Sequence, residues 1–183
     1  MDQDLIARAQ RGDREAYELL ARGSVQRLYA TAHRIVRDVD RADDAVQQTL
    51  VAMWRELPSL RDLDRFEAWT YRLVVRFCLV ESRRSRRTGV REIEIDEMLP
   101  ARSDAYADSD LRDQLDRALG ELSPDHRAVV VLHHYAGLQL GEIADILGVP
   151  YGTVGSRLHH ALRALRAAVV AGEQATVVGG QPA

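Results

Sequence analysis

Residues 138–166 read LQLGEIADILGVPYGTVGSRLHHALRALR, and the way this stretch divides decides the fold. Leu140, Ile143, Ala144 and Leu147 recur at spacings of three and four, the period of a helix with one apolar face. Val154, Leu158, Ala161, Leu162 and Leu165 repeat that period over a longer span. Between the two lies Gly148-Val149-Pro150. Gly148 follows the last periodic residue, where a left-handed C-terminal cap is wanted. Pro150 cannot continue a helix and pushes Val149 toward extended backbone. A short apolar helix, a tight turn with Gly and a longer amphipathic helix make a helix-turn-helix, with Ala144 small enough for close approach. An ordinary helical hairpin in a core would show the same spacing. Against it, the outward face of the second helix carries Tyr151, Thr153, Ser156, Arg157, His159, His160 and Arg163, hydrogen-bonding types with almost no acids. A recognition helix meets base edges through its N-terminal residues. An Arg there can fork onto guanine, worth roughly 1–3 kcal/mol of discrimination.

Composition agrees with an all-helical chain. The 183 residues are 46% hydrophobic but only 5% aromatic, so a core can form without the β-branched and aromatic runs of a sheet protein. The single cysteine, Cys78, excludes an internal disulfide and makes a reducing compartment the default. No apolar run is long enough to span a membrane, and the first ten residues lack the apolar centre of a signal peptide, so a soluble cytoplasmic protein without membrane insertion is expected. The net charge of −3 hides an uneven distribution. Residues 1–88 hold 17 Arg and 14 acids, residues 89–110 hold 2 and 7, and residues 111–183 hold 6 and 7. All 25 basic residues are Arg. Arg is the better planar donor to phosphate and guanine, although a GC-rich genome explains its use more simply.

Upstream of the decisive stretch the chain reads as a series of helices. Leu5, Ile6 and Ala9 form a first short stripe that Gly12-Asp13 interrupts, with Asp13 placed to cap the next helix. That helix carries Ala16, Leu19, Leu20, Val25, Leu28, Ala32, Ile35 and Val36, with a kink expected at Gly23-Ser24 and an end at 38–40. Residues 41–57, RADDAVQQTLVAMWREL, put Ala42, Ala45, Val46, Leu50, Met53, Trp54 and Leu57 on one face and Asp43, Asp44, Gln47 and Gln48 on the other. The plain reading of those four polar residues is a solvated face. Residues 58–64 are a loop. Residues 65–87 form a long helix with Phe66, Trp69, Leu73, Phe77 and Val80 in one stripe, finishing in SRRSRR at 82–87. Cations suit a helix C-terminus, and the same cluster is a phosphate footprint. Residues 89–110 are acidic and aperiodic, an extended linker between two helical modules. Leu111, Leu115, Ala118, Leu119 and Leu122 resume the helical register, and Ser123-Pro124 supplies a cap with Pro at the first helical position. Val129, Val130, Leu132, His133 and Tyr135 fill the helix before the helix-turn-helix. Residues 171–183 lose the period and read as a mobile tail. The expected organisation is one helical domain at 1–88, the linker at 89–110, a second helical domain at 111–170, and the tail.

Nothing supports an enzyme. There is no phosphate loop, no nucleophile elbow and no pair of carboxylates in an evident cleft. His133-His134 and His159-His160 invite a metal, but adjacent helical residues face different ways and no Cys or acid completes a tetrahedral set. No metal or cofactor is expected, and lone Cys78 reads as packing rather than redox chemistry.

The order of these modules resembles an extracytoplasmic-function sigma factor, the minimal bacterial type with regions two and four only. RLYATAHRIVRDVDRADDAVQQTLVAMWREL, at 27–57, is similar to the region-two core. LSPDHRAVVVLHHYAGLQLGEIADILGVPYGTVGSRL, at 122–158, is similar to region four, most specifically in Leu122-Ser123-Pro124, Gly152-Thr153-Val154 and Ser156-Arg157-Leu158. The resemblance covers about residues 4–168. It implies a protein that binds core RNA polymerase and directs promoter-specific initiation, catalysis belonging to the polymerase. Asp43, Asp44, Gln47 and Gln48 would dock on the clamp helices of the largest subunit, the β′ chain. Region four would sit on the β flap. The loop and helix at 58–87, through Arg61, Arg65, Trp69, Arg72, Arg76, Arg83, Arg84, Arg86 and Arg87, would recognise and open the minus-ten element, where an unstacked base exposes its edge. Tyr151, Thr153, Gly155, Ser156, Arg157, His159, His160 and Arg163 would read the minus-thirty-five element. The acidic linker would pass near the active-site and RNA-exit path. An anti-sigma protein is the expected regulatory partner. The chain departs from the family pattern at Arg41, Asp43 and Gln48, where Asp, Glu and Glu are usual. It departs again at Arg76 and Val80 (Asn and Asp), Gly155 (a basic residue), His160 and Leu162 (Arg).

Two other functions share these features. A free-standing helix-turn-helix regulator would bind operator DNA without polymerase, but needs a dimer interface to space two half-sites, and no heptad or ligand pocket is apparent. A protein that keeps the fold but has lost promoter binding would be consistent with Gly155 and the acidic C-terminal balance.

Overall fold

The computed structural model describes residues 2–88 and 107–178, apart from the side chains of 85–88, 107–113 and 172–178. These residues form eight α-helices, and none of them lies in a strand: α1 (Gln3–Gln10), α2 (Arg14–Val36), α3 (Val39–Glu56), α4 (Phe66–Thr88), α5 (Ala107–Glu121), α6 (Pro124–Val130), α7 (Leu140–Leu147) and α8 (Tyr151–Val178).

Short polar residues set most of the helix starts. Asp13 accepts from the Ala16 N–H and Arg8 at the head of α2, and those bonds hold its carboxyl below the usual carboxylate range. Asp38 does the same for α3, accepting from the Arg41 N–H at 2.9 Å. The sequence suggested that residues 38–40 end α2 and that α3 begins at 41. Instead α2 stops at Val36, Arg37 turns the chain in the left-handed region at φ 55°, and α3 starts at Val39 because Asp38 is its cap. α2 runs as one helix through Gly23 and Ser24. Gly148 closes α7 with φ 64°, as its position required.

α1 to α4 wrap one core. Ile6, Leu20, Leu28, Met53, Phe66 and Leu73 are buried in it, each removal from water contributing about 1.5–3 kcal/mol. Val80, assigned to the buried stripe of α4, is 45% exposed; the helix turns Tyr71, Val74, Val75 and Cys78 inward instead. Burial pushes the Cys78 thiol far above its ordinary value. Leu115 of α5 is also exposed rather than core. α6 passes into a single π-helical turn, Val131–Tyr135, ended by a Leu138 N–H bond to the Leu132 carbonyl. α5, α6 and α7 pack on α8 through Val154, Leu158, Ala161 and Leu165.

Two further boundaries differ from the sequence reading. α5 begins at Ala107, inside the stretch assigned to the linker. α8 continues to Val178, well into the assigned tail: AAVVAGEQATVV lacks an apolar period, and its single Gly172 does not end the helix. The linker at 89–106 and the terminus at 179–183 lie outside the described residues.

The two helical groups also pack on each other. α7 lies against α4, while α6 and the π turn lie against α2. Arg72 on α4 donates to the Asp145 carbonyl of α7 at 2.9 Å. The Arg34 guanidinium sits 3.8 Å from the centre of the Tyr135 ring, and Arg37 meets Asp116 of α5 at 3.6 Å.

Candidate nucleic-acid interface and docking face

α3 presents its outer face cleanly because its inner positions, Ala42, Ala45, Val46, Thr49 and Met53, are all buried. Asp43, Asp44 and Gln47 are exposed. Gln48 is half-buried and donates its side-chain amide to the buried Glu81 on α4 at 2.9 Å, so it faces the α3–α4 groove rather than open solvent. Val51 and Trp54 continue the outer face below Gln47, with the Trp54 ring edge-on to Tyr17 at 4.8 Å. Trp54, assigned to the core stripe, is 40% exposed.

The loop after α3 is two 3₁₀ turns, Leu57–Ser59 and Leu63–Arg65. Its shape is fixed from outside. Gln10, at the end of α1, donates to the Leu57 carbonyl at 3.0 Å and the Leu60 carbonyl at 2.7 Å, and Gln3 donates to Asp64. Sequence reading missed both glutamines: they act across some fifty residues and carry no local pattern. Beyond the loop, Arg65, Trp69, Arg72 and Arg76 follow one another at spacings of four, three and four along one face. Arg61, Arg65, Arg72 and Arg76 are exposed, and Trp69 leans half-buried on Phe66. Arg65 lies 3.6 Å from Asp62, and Arg76 is drawn back to Glu56 at 2.9 Å. Arg83 and Arg84 are exposed near the helix end; the side chains of Arg86 and Arg87 lie outside the described residues.

On α8, Tyr151, Ser156, His159, His160 and Arg163 are exposed, with Thr153 and Gly155 partly so. Arg157 is more enclosed, its side chain 25% exposed and 3.3 Å from Asp125 on α6. That acid is a second partner missed in the sequence, where nothing links α6 to the recognition helix. Among the described residues there is no group of three His, Cys, Asp or Glu placed to hold a metal, and no helix long and apolar enough to cross a membrane.

A helix-turn-helix module packed on a four-helix module with an exposed polar helix defines a class of DNA-binding transcription proteins, and comparison narrows it. The profile for sigma-70 region 2 matches residues 20–88, and that for sigma-70 region 4 matches residues 112–165. The ECF RNA polymerase sigma factor SigL of Mycobacterium tuberculosis is 35% identical over 150 residues, 76% of this chain and 80% of that protein. The sigma factor SigV of Bacillus subtilis is 30% identical, over 77% of this chain and 83% of its own length. Among solved structures, RpoE of Bartonella quintana, in complex with the anti-sigma factor NepR, superposes with a TM-score of 0.65 at 27% identity, covering 82% of this chain and 92% of that one. CnrH, in complex with the cytosolic domain of CnrY, gives 0.66 at 26% identity, covering 93% and 97%. The chain belongs to the extracytoplasmic-function sigma factors, transcription initiation factors that bind core RNA polymerase and direct it to promoters.

Proposed function

We propose that residues 1–88 form the polymerase-docking and minus-ten-opening domain and that the helical domain ending with α8 reads the minus-thirty-five element, in a cytoplasmic protein without catalysis of its own. Asp43, Asp44 and Gln47 meet the β′ clamp helices; Gln48 shapes the edge of that face through Glu81. Arg61, Arg65, Trp69, Arg72, Arg76, Arg83 and Arg84, with Arg86 and Arg87, track the separated minus-ten strands. The loop braced by Gln10 receives an unstacked base. Tyr151, Thr153, Ser156, Arg157, His159, His160 and Arg163 face the upstream element while the same domain sits on the β flap. An anti-sigma protein regulates the chain; RpoE of Bartonella quintana is held by the anti-sigma factor NepR, and CnrH is held by the cytosolic domain of CnrY. The observation that carries this reading is the pairing, in one chain and in family order, of a bare polar α3 face with a helix-turn-helix whose outer face is exposed.

The experiment is transcription in a purified system. Core polymerase with this chain is run on a library of upstream sequences, and start sites are mapped. Enrichment of a two-part motif with fixed spacing is expected. Transcripts no different from those of core polymerase alone would overturn the assignment.

A further inference from the structure

Four exposed arginines gather where α1 stops, α2 starts and α3 gives way to the loop: Arg11, Arg14, Arg55 and Arg61. Cross-links hold this corner of the bundle together. Gln10 donates to the Leu57 and Leu60 carbonyls, and the Tyr17 hydroxyl, one turn into α2, donates to the Leu50 carbonyl of α3. Among the described residues none of the four guanidiniums has an ion-pair or hydrogen-bond partner. The neighbouring acids are taken by others: Asp13 by Arg8, Glu56 by Arg76 and Asp62 by Arg65. Glu15 remains, but it follows Arg14 directly, and consecutive helical residues face different ways. We propose that this corner is a phosphate site, which grips the backbone of the single strand where it leaves the loop, beyond the base the loop holds. This rests on the assignments of the loop and α4 under Proposed function.

Folding accounts for only half of these charges. Arg11 ends α1 and Arg55 lies in the last turn of α3, where the helix dipole favours a cation. Arg14 is the first residue of α2, the end at which the dipole disfavours one. The cap beside it does not compensate, because Asp13 accepts from the Ala16 N–H and from Arg8. Arg61 stands between two 3₁₀ turns and completes no helix. Guanidinium forks onto phosphate oxygens and keeps its charge throughout the ordinary pH range. Placement supplies the ligand. α4 leaves the loop from its Arg65 end, and the corner abuts its Leu57–Leu60 end through Gln10. A strand that follows Arg76, Arg72, Trp69 and Arg65 and gives a base to the loop exits over Arg61, Arg11 and Arg14. Positive charge tracking the backbone holds a single strand without reading its sequence.

The test pairs Arg11→Gln with Arg14→Gln in the full chain, both at exposed positions, with folding checked by circular dichroism. Holoenzyme carrying the double variant should bind core polymerase as the parent does, yet its open promoter complexes should decay about fivefold faster under heparin challenge, as lost phosphate contacts require. Arg11→Lys with Arg14→Lys should restore most of that lifetime. Neutral methylphosphonate linkages, placed one at a time in the non-template strand downstream of the extruded base, should shorten the parent's lifetime at one or two positions. At those positions the glutamine variant should lose nothing further. A folded variant with the parent's lifetime, or losses that simply add, would overturn the site. Weakened binding to core polymerase with unchanged decay would assign the corner to a protein contact and overturn it equally. If the parent forms no promoter complex at all, the sigma assignment fails, and the corner is decided without polymerase. In salt titrations of the free chain with a random-sequence single-stranded DNA 20-mer, the variant's slope should then be shallower by about 1.4, or 0.7 for each lost phosphate contact. Equal slopes would overturn the site on that arm.

Discussion

Two partners compete for the Arg157 guanidinium. In the free chain it lies 3.3 Å from Asp125 and is three-quarters covered, a pair whose loss costs at most about 1 kcal/mol at such a partly exposed site. A bidentate contact to guanine is worth roughly 1–3 kcal/mol. Magnitude therefore separates a strut from a reader. Arg157→Ala is expected to leave thermal stability within a degree or two of the parent, yet to lower holoenzyme binding to the preferred promoter about tenfold and relax preference at one or two upstream positions. A loss of stability with no change in sequence preference would make Arg157 a strut. Gly155 is the complementary case. A β-carbon built there meets nothing within 4 Å, so Gly155→Arg has room. It also relieves up to about 1 kcal/mol of helix penalty. It should tighten promoter binding and steepen the salt slope by about 0.9 for one added phosphate contact, read from a salt titration of the holoenzyme. Types and positions on this helix were legible in the sequence because period and turn chemistry place them. The pull of Asp125 on Arg157 was not, since it depends on how α6 crosses α8.

At the scale of elements, α3 and the loop after it carry separable tasks. Asp44→Arg reverses a charge on a solvent-facing position without touching Ala45 or Val46 beneath, so helicity should be unchanged by circular dichroism. Core polymerase binding should weaken at least tenfold, because a reversed charge at a desolvated polar contact costs several kcal/mol. Undiminished binding would place the docking face elsewhere. Gln10→Ala should do the opposite. It removes the donor that two loop carbonyls share, leaving polymerase affinity near the parent's while slowing promoter opening, measured by permanganate reactivity of the minus-ten thymines. Reduced polymerase affinity with normal opening would show that the brace serves docking instead. The α3 helix was legible nearly to its ends: the apolar period gave Ala42, Ala45, Val46 and Met53 of its inner face but misplaced Trp54, and the cap at Asp38 shifted its start by two residues. The extension of α8 was not, because the stretch carries no apolar period for sequence reading to follow.

At the scale of the whole molecule, the order of modules was visible in the chain but their contact was not. Each seam link joins residues tens of positions apart, and none sits in a pattern either helix needs for its own folding. His33 titrates beside that seam. Its ring stacks on Tyr29 at 5.9 Å, and burial, then Arg34 and Arg37, push its pKa below 6.5, against smaller pulls from Asp116 and Asp38. In the unfolded chain the same ring takes up a proton near its ordinary value of about 6.5. Above that pH both states leave the ring neutral and it costs nothing. As pH falls below about 6.5 the unfolded chain binds a proton that the folded chain resists, so stability declines until the folded-state pKa is passed, then levels. His33→Gln, which keeps a polar planar end but cannot titrate, should flatten the difference in unfolding free energy between pH 7 and pH 5 relative to the parent, measured by urea denaturation at each pH. The other five histidines are common to both proteins, so the difference between the two curves isolates His33. Parallel curves would mean that the folded structure leaves the His33 proton affinity unchanged. A variant whose stability falls faster with acid than the parent's would reverse the sign and mean that the seam binds the imidazolium, with Asp116 outweighing both arginines.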